Sequence, residues 1–305
     1  MIPERIKKGD TIGIIAPANP VTEENLEEFN NSILLMEVSG YKIKIGKNVF
    51  KNPTGYGATV EQKAEDLNNM FADTEVKMVW CAKGGNNSNS IFDLIDYELI
   101  KKNPKIICGF SDITSITNMI YEKTGLVTFS GQTFKGLANC ETEYSYKEII
   151  KRLQDGSLEL GTKDDEYKIL KPGEAEGILI GGNLNLMHDL VTGKYKMNFQ
   201  DKILFLEELG LESPPEAVSH YLYYMKQNGV FDKIRGIWLG NYEHESGITI
   251  EQILKDTIGD EYNFPIIKSN NFGHTDRKTV IPVGIRARID TNDDVKIKLL
   301  ENCVK

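Results

Sequence analysis

Short β-branched runs alternate along this chain with stretches of helical period. TIGIIA (11–16) is a run of the first kind, closed by Pro17, and the segment 22–39 carries Leu26, Phe29, Ile33, Leu34 and Met36 at near-helical spacing. YKIKIGKNV (41–49) alternates as a strand does, and VEQKAEDLNNMFAD (60–73) sets Ala64, Leu67 and Phe71 on one side of a helix. VKMVWCA (76–82) predicts the next strand, followed by a loop KGGNNSNS (83–90) and a helix over 91–102. Ile106, Ile107 and Cys108 form a further apolar strand, and the text from Asp112 to Glu122 places Ile113, Ile116, Thr117, Ile120 and Tyr121 on one helical face.

This alternation predicts an α/β fold. Residues 1–138 read as a doubly wound, mostly parallel sheet of Rossmann or flavodoxin-like type, whose ligands gather at the carboxyl ends of the strands. Two loops occupy such ends, 83–90 and 109–112. Residues 139–175 change character: polar, charged and rich in turn signals, with one short helix near 145–154, they read as a linker or active-site flap. From 176 to 305 the text predicts a smaller, mixed α/β domain rich in strands. Its strands fall over 177–182, 201–209, 234–242, 265–270 and 279–290, with helices at about 183–192, 215–228 and 249–257.

Charge narrows the partners. The 305 residues carry a net charge of −9, with no block of Lys or Arg, which argues against nucleic acid. No apolar run long enough to cross a membrane occurs and the N-terminus lacks a signal-type apolar core, so a cytoplasmic protein with no membrane partner is expected. Cys81, Cys108, Cys140 and Cys303 lie far apart and predict reduced thiols, with neither a disulfide framework nor a zinc site.

Candidate chemistry begins at Gly109-Phe110-Ser111-Asp112, where an apolar strand turns into a helix. A serine there holds its hydroxyl above the sheet, with the Asp112 amide aimed at whatever the hydroxyl attacks, as in a nucleophile elbow. The second glycine of the hydrolase elbow is missing, and a serine that only caps the helix fits the same letters. A serine nucleophile needs a base. His188, His220 and His244 occupy settings of packed or surface imidazoles, whereas His274 lies in the polar loop NNFGHTDRK, where it either faces a cleft or is simply solvated. The apolar run ILFL ends in Glu207 and Glu208. Glu207 follows it directly and is the better candidate to orient an imidazole, with Glu208 turned to the other face. Glu207, Glu208, His274 and Asp276 as a metal set lack an HExxH-type spacing, so no metal is expected. Gly84 and Gly85 let backbone approach a ligand closely, which makes Gly84, Gly85 and Asn86 candidates for substrate and oxyanion contacts. Neither GxxxxGK[ST] nor GxGxxG is present, which disfavours a phosphate loop.

Taken in order, GDTIGIIAPA (9–18), YGATVEQKAEDLNNMFAD (56–73), KGGNNSNS (83–90), GFSDIT (109–114), GILIGGNL (177–184), ILFLEE (203–208), FGHTD (272–276) and IPVGIRARID (281–290) resemble the S66 serine peptidases. That family comprises the LD-carboxypeptidases, or muramoyltetrapeptide carboxypeptidases, and the microcin C7 self-immunity peptidases. The resemblance implies a triad of Ser111, Glu207 and His274, with the nucleophile in the N-terminal domain, the other two in the C-terminal domain and the site in the groove between them. It also implies an oxyanion hole made by the amides of Gly85 and Asp112, a homodimer, and no cofactor or metal.

The resemblance divides on substrate. GGNNSN (84–89) is more similar to the immunity branch than to the GGYG-type loop of the LD-carboxypeptidases. Yet 139–175 holds no tryptophan, where the immunity enzymes place an aromatic to stack on a nucleotide base, and Trp80 and Trp238 sit in apparent core strands. The expected activity is release of a C-terminal D-amino acid, D-Ala, from a cytosolic murein tetrapeptide through an acyl-enzyme. Cleavage of a peptidyl or aminoacyl nucleotide is the alternative. A binding protein that keeps the fold without catalysis is a third reading, disfavoured by the presence of all three triad residues.

Overall fold

The computed structural model describes residues 1–138, 143–161 and 165–305, and Cys140 lies outside them. It divides into one unit of Met1–Ser157, Val280–Pro282 and Asn302–Lys305, and a second of Leu158–Thr279 and Val283–Glu301.

The first unit runs β1 (Thr11–Ile15), α1 (Glu23–Val38), β2 (Lys42–Ile45), α2 (Val60–Ala72), β3 (Val76–Cys81), α3 (Tyr97–Lys102), β4 (Ile106–Gly109), α4 (Thr114–Thr124), β5 (Thr128–Ser130) and α5 (Glu143–Ile149). These five strands pair in parallel in the order 5-4-3-1-2, and Ile281–Val283 adds a sixth beyond β5. This is the flavodoxin-like order, and its direction reverses between β1 and β3. All four residues of β4 are buried, as a central parallel strand requires, whereas the KIKI text of β2 lies at the exposed edge. Phe134 closes the core, with its ring edge-on to Phe29 at 5.4 Å and to Trp80 at 5.6 Å.

Two elements are shorter than the apolar pattern implies. The strand expected over 41–49 ends at Ile45, because Asn48 gives both its amide and its side chain to Asp66 of α2, each at 2.9 Å. The helix expected over 91–102 becomes a 3-10 turn at Ser88–Ile91 and a helix from Tyr97, started by Asp96, whose side chain accepts the Leu99 amide.

The second unit contains β6 (Lys168–Lys171), β7 (Glu174–Asn183), α6 (Leu184–Asp189), β8 (Lys202–Glu207), α7 (Pro215–Gln227), β9 (Gly236–Leu239), α8 (Ile250–Ile258) and β10 (Ile266–Lys268). After β11 (Ile281–Val283), already placed at the edge of the first sheet, come β12 (Arg286–Asp290) and β13 (Ile297–Leu299). The sheet order is 13-12-7-8-9-10-6. Strands β7 to β10 pair in parallel and β12, β13 and β6 join antiparallel, so this sheet is mixed.

The run over 279–290, read from the sequence as one strand, is two strands in different sheets. At Gly284, where φ is +93°, the chain turns; the Gly284 amide donates to the Leu179 carbonyl at 2.7 Å, and the Leu179 amide donates to the Ile285 carbonyl at 2.8 Å. Within 139–175 the chain forms α5, a π-helical turn at Ile150–Gln154 and the edge strand β6, which pairs with β10. Arg152 of that turn is fully buried, its Nε donating to the Val280 carbonyl at 3.1 Å.

Candidate active site

At the end of β4 the backbone passes from extended Phe110 (φ −143°) to left-handed Ser111 (φ +62°) and then into a 3-10 turn that opens α4. That conformation disfavours any residue with a Cβ by roughly 1–2 kcal/mol, and such outliers collect where function holds them. The loop after β3 lies against this turn. A Cβ on Gly84 would stand 3.0 Å from the Ser111 Cβ and 3.2 Å from its Oγ, and one on Gly85 (φ +140°) would collide with Asn19 at 2.3 Å. Asn19 follows β1, so the loop is gripped at the β1/β3 reversal, where doubly wound sheets bind their ligands. Its Oδ1 accepts the Asn86 amide at 3.1 Å, leaving the Asn86 side chain exposed.

Asp112 bonds back to the same loop: its Oδ2 accepts the Ser88 amide at 2.8 Å, and its carbonyl accepts the Ser88 hydroxyl at 2.7 Å. Lys63 of α2 donates to Asn87 Oδ1 at 2.7 Å. Burial pulls the Lys63 pKa down, with the Asp112 charge opposing the fall. The thiols of Cys81 and Cys108 lie in the adjacent strands, and burial pushes both well above the usual range, which keeps them protonated and unreactive.

In the second unit β8 ends at Glu207, which is buried. Its Oε2 accepts from His274 Nδ1 at 2.7 Å and from the His274 amide at 3.1 Å, while its Oε1 finds no donor among the described residues. The loop carrying His274 is fixed at several points. Phe272 packs on Trp238 with ring centroids 4.5 Å apart, Asn241 Nδ2 donates to the His274 carbonyl at 2.8 Å, and the Thr279 amide donates to Asn271 O at 2.7 Å. Gly273 (φ +99°) has no room for a side chain, since a Cβ would sit 2.7 Å from that of Glu207.

Glu208 is engaged elsewhere, accepting from Asn183 Nδ2 at 2.8 Å and from the amides of Asn185 and Leu209, each at 2.9 Å. Burial, and then the Glu207 charge, hold its pKa above the usual carboxylate range. For His274, burial pulls the imidazole pKa down, but the hydrogen bond and charge of Glu207, aided by Glu208, outweigh it and the net shift is upward. Among the described residues no group of three or more His, Cys, Asp or Glu side chains is arranged to hold a metal ion. No helix among them is long and apolar enough to cross a membrane. The structure thus gathers Ser111, Asp112, Gly84 and Gly85 in the first unit, and Glu207 with His274 in the second.

The family model described as the LD-carboxypeptidase N-terminal domain matches residues 12–131, and that of the LD-carboxypeptidase C-terminal domain matches 176–289. The chain belongs to the S66 peptidase family. Among S66 relatives, it is 34% identical to the probable murein peptide carboxypeptidase of Bacillus subtilis, over 97% of this chain and 93% of that protein. It is 29% identical to the microcin C7 self-immunity protein MccF of Escherichia coli, over 96% and 94% of the two chains. A solved MccF-like protein from Bacillus anthracis superposes with a TM-score of 0.88 at 29% identity, covering 99% of each chain.

Several residues that build this S66 site are not singled out by the sequence. Lys63, Asn87, Ser88 and Asn241 are polar letters in loops or on helix faces, and nothing in their spacing marks them. Asn19 is marked in the sequence, since it follows Ala16-Pro17-Ala18 directly at the end of a predicted strand.

Proposed function

We propose that this chain is a serine carboxypeptidase that releases a C-terminal D-amino acid, D-Ala, from murein tetrapeptides, with Ser111, His274 and Glu207 acting as its triad. The observation that carries the reading is the 2.7 Å bond between His274 Nδ1 and Glu207 Oε2. It fixes the tautomer with the proton on Nδ1, so Nε2 is the nitrogen that takes the Ser111 proton. The Ser111 Oγ then attacks the scissile carbonyl carbon. The negative charge that builds on the carbonyl oxygen is met by the amides of Asp112 and Gly85, and imidazolium formation is stabilised by Glu207. His274 returns the proton to the leaving amine, D-Ala departs, and water, activated by the same imidazole, releases the acyl group. Balanced this way, the reaction needs no metal or cofactor. Gly84 and Asn86 are assigned to substrate contact.

Support for a murein peptide comes from the Bacillus subtilis relative, whose name carries that activity. It also comes from the tryptophans: Trp80 and Trp238 are fully buried, with their indole N–H groups donating to the Gln132 carbonyl and Ser269 Oγ, so neither is available to stack on a nucleotide base. A second reading, hydrolysis of a peptidyl or aminoacyl nucleotide, is favoured by the GGNNSN loop text and by the likeness to MccF. Either substrate suits a cytoplasmic homodimer, which we assign to this chain. Treatment with a fluorophosphonate probe tests the nucleophile: a single adduct mapped to Ser111, absent from Ser111→Ala, supports it, and an adduct elsewhere or none at all overturns it.

A further inference from the structure

Asp112 and Lys63 are each only 3% exposed, yet neither belongs to the triad. Buried charges of opposite sign on different elements need a reason, because each is costly to remove from water. The reason lies in the loop between them. Asn86 is tied to Asn19 beyond β1, Asn87 to Lys63 of α2, and Ser88 to both the carboxylate and the carbonyl of Asp112 at the head of α4. Three successive residues are thus anchored to three different elements. The segment just before them, Gly84-Gly85, has no side chains with which to fix itself.

We propose that the Asp112 carboxylate, seconded by Lys63 through Asn87, is a positioning device that holds the 84–88 loop in register with the Asp112 amide. The inference rests on the reading of Ser111 as nucleophile, with the amides of Gly85 and Asp112 as oxyanion donors. Such donors act only when both meet the oxyanion at about 2.7–3.1 Å, and two adjacent glycines have little conformational preference of their own. Their geometry has to be imposed from outside. Asp112 therefore supplies one donor from its backbone and sets the other through its side chain. The charge of Lys63 offsets that of the carboxylate, so the developing oxyanion does not face an uncompensated anion next to its own donor.

The test compares wild type, Asp112→Ala, Asp112→Asn and Lys63→Met by amide hydrogen exchange over 83–90 and by steady-state kinetics on a murein tetrapeptide. Asp112→Ala is expected to speed exchange at Ser88 about tenfold or more, since the acceptor is gone. It should lower kcat about 100-fold, the scale of one misplaced oxyanion donor, with little change in KM. Asp112→Asn keeps an oxygen for the Ser88 amide and should recover at least about tenfold of that kcat loss. Lys63→Met, which exchanges a buried ammonium for an apolar chain of like length, should speed exchange at 86–88 and serves if Asp112→Ala does not fold. Unchanged exchange and kcat in both of these variants would overturn the proposal. So would equal kcat losses in Asp112→Asn and Asp112→Ala, which would assign the effect to charge. A wild type inactive on the tetrapeptide yet showing the expected exchange pattern would instead strike at the function itself, so the two failures are distinguishable.

Discussion

Glu207 Oε2 stands 2.7 Å from His274 Nδ1 and 3.1 Å from the His274 backbone amide, so one carboxylate oxygen holds both the ring and the loop that carries it. The upward shift of the imidazole pKa is the net result of burial, which opposes the charge, and Glu207, which favours it more strongly. A general base must be neutral to act. The acid limb of kcat/KM should therefore have its midpoint above the ordinary 6.5 of a histidine. In Glu207→Gln that midpoint should move down, and kcat should fall on the order of 1,000-fold or more through loss of the correct tautomer. A pH–rate profile of the two proteins measures both effects.

The same shift has a consequence for stability. A raised folded-state pKa means that the protonated pair stabilises the fold below the unfolded value, and that this contribution disappears as pH rises through the folded value. His274→Gln should lose more melting temperature relative to wild type at pH 6 than at pH 9. Thermal melts at the two pH values check the sign.

Gly273 lies at φ +99°, and a Cβ there would overlap Glu207. Gly273→Ala should destabilise by more than about 1 kcal/mol, since alanine strains that backbone and must push the carboxylate aside. Because the carboxylate it displaces orients His274, kcat should fall along with the melting temperature, and a variant with normal kcat would show the contact to be immaterial to catalysis.

Ser111 adopts a left-handed conformation that its side chain disfavours. Ser111→Gly and Ser111→Ala both delete the hydroxyl, and both should be inactive. Glycine accepts φ +62° without penalty. The Gly variant should therefore be more stable than the Ala variant by up to about 1 kcal/mol, even though glycine loses more entropy on folding. Chemical denaturation of the pair would read the difference directly.

Glu208 satisfies one side-chain and two backbone donors near the end of β8. Glu208→Ala should destabilise by about 2–4 kcal/mol by leaving them unpaired, whereas Glu208→Gln keeps an acceptor and should lose much less. Melting curves of the two variants distinguish a lost acceptor from a lost charge.

Much of the first unit is legible in the sequence because a parallel sheet demands unbroken apolar strands, and runs such as those of β3 and β4 stand out between amphipathic helices. What the sequence hides has physical causes. Apolar residues recur from Val280 to Ile289, so the text 279–290 reads as one strand, and the turn that divides it between two sheets is marked by a single glycine, Gly284. Strand β6 is a KILK edge strand with no fully buried residue, so no alternation of buried and exposed positions marks it. Strand alternation is enough to send Glu207 and Glu208 to different partners. The meeting of Glu207 with His274, 67 residues later, is a product of the fold and is written in no local spacing. The backbone of Ser111 is likewise invisible in its letters, since a capping serine and a strained one are spelled alike.

The proposed reaction is attack of Ser111 on the terminal peptide bond of a murein tetrapeptide. Mass spectrometry of a disaccharide tetrapeptide ending in D-Ala, incubated with wild type and with Ser111→Ala beside an aminoacyl-adenylate analogue, tests it most directly. Wild type alone should release D-Ala. Release by the Ser111→Ala variant at the wild-type rate, or cleavage by wild type of the nucleotide conjugate only, would contradict it.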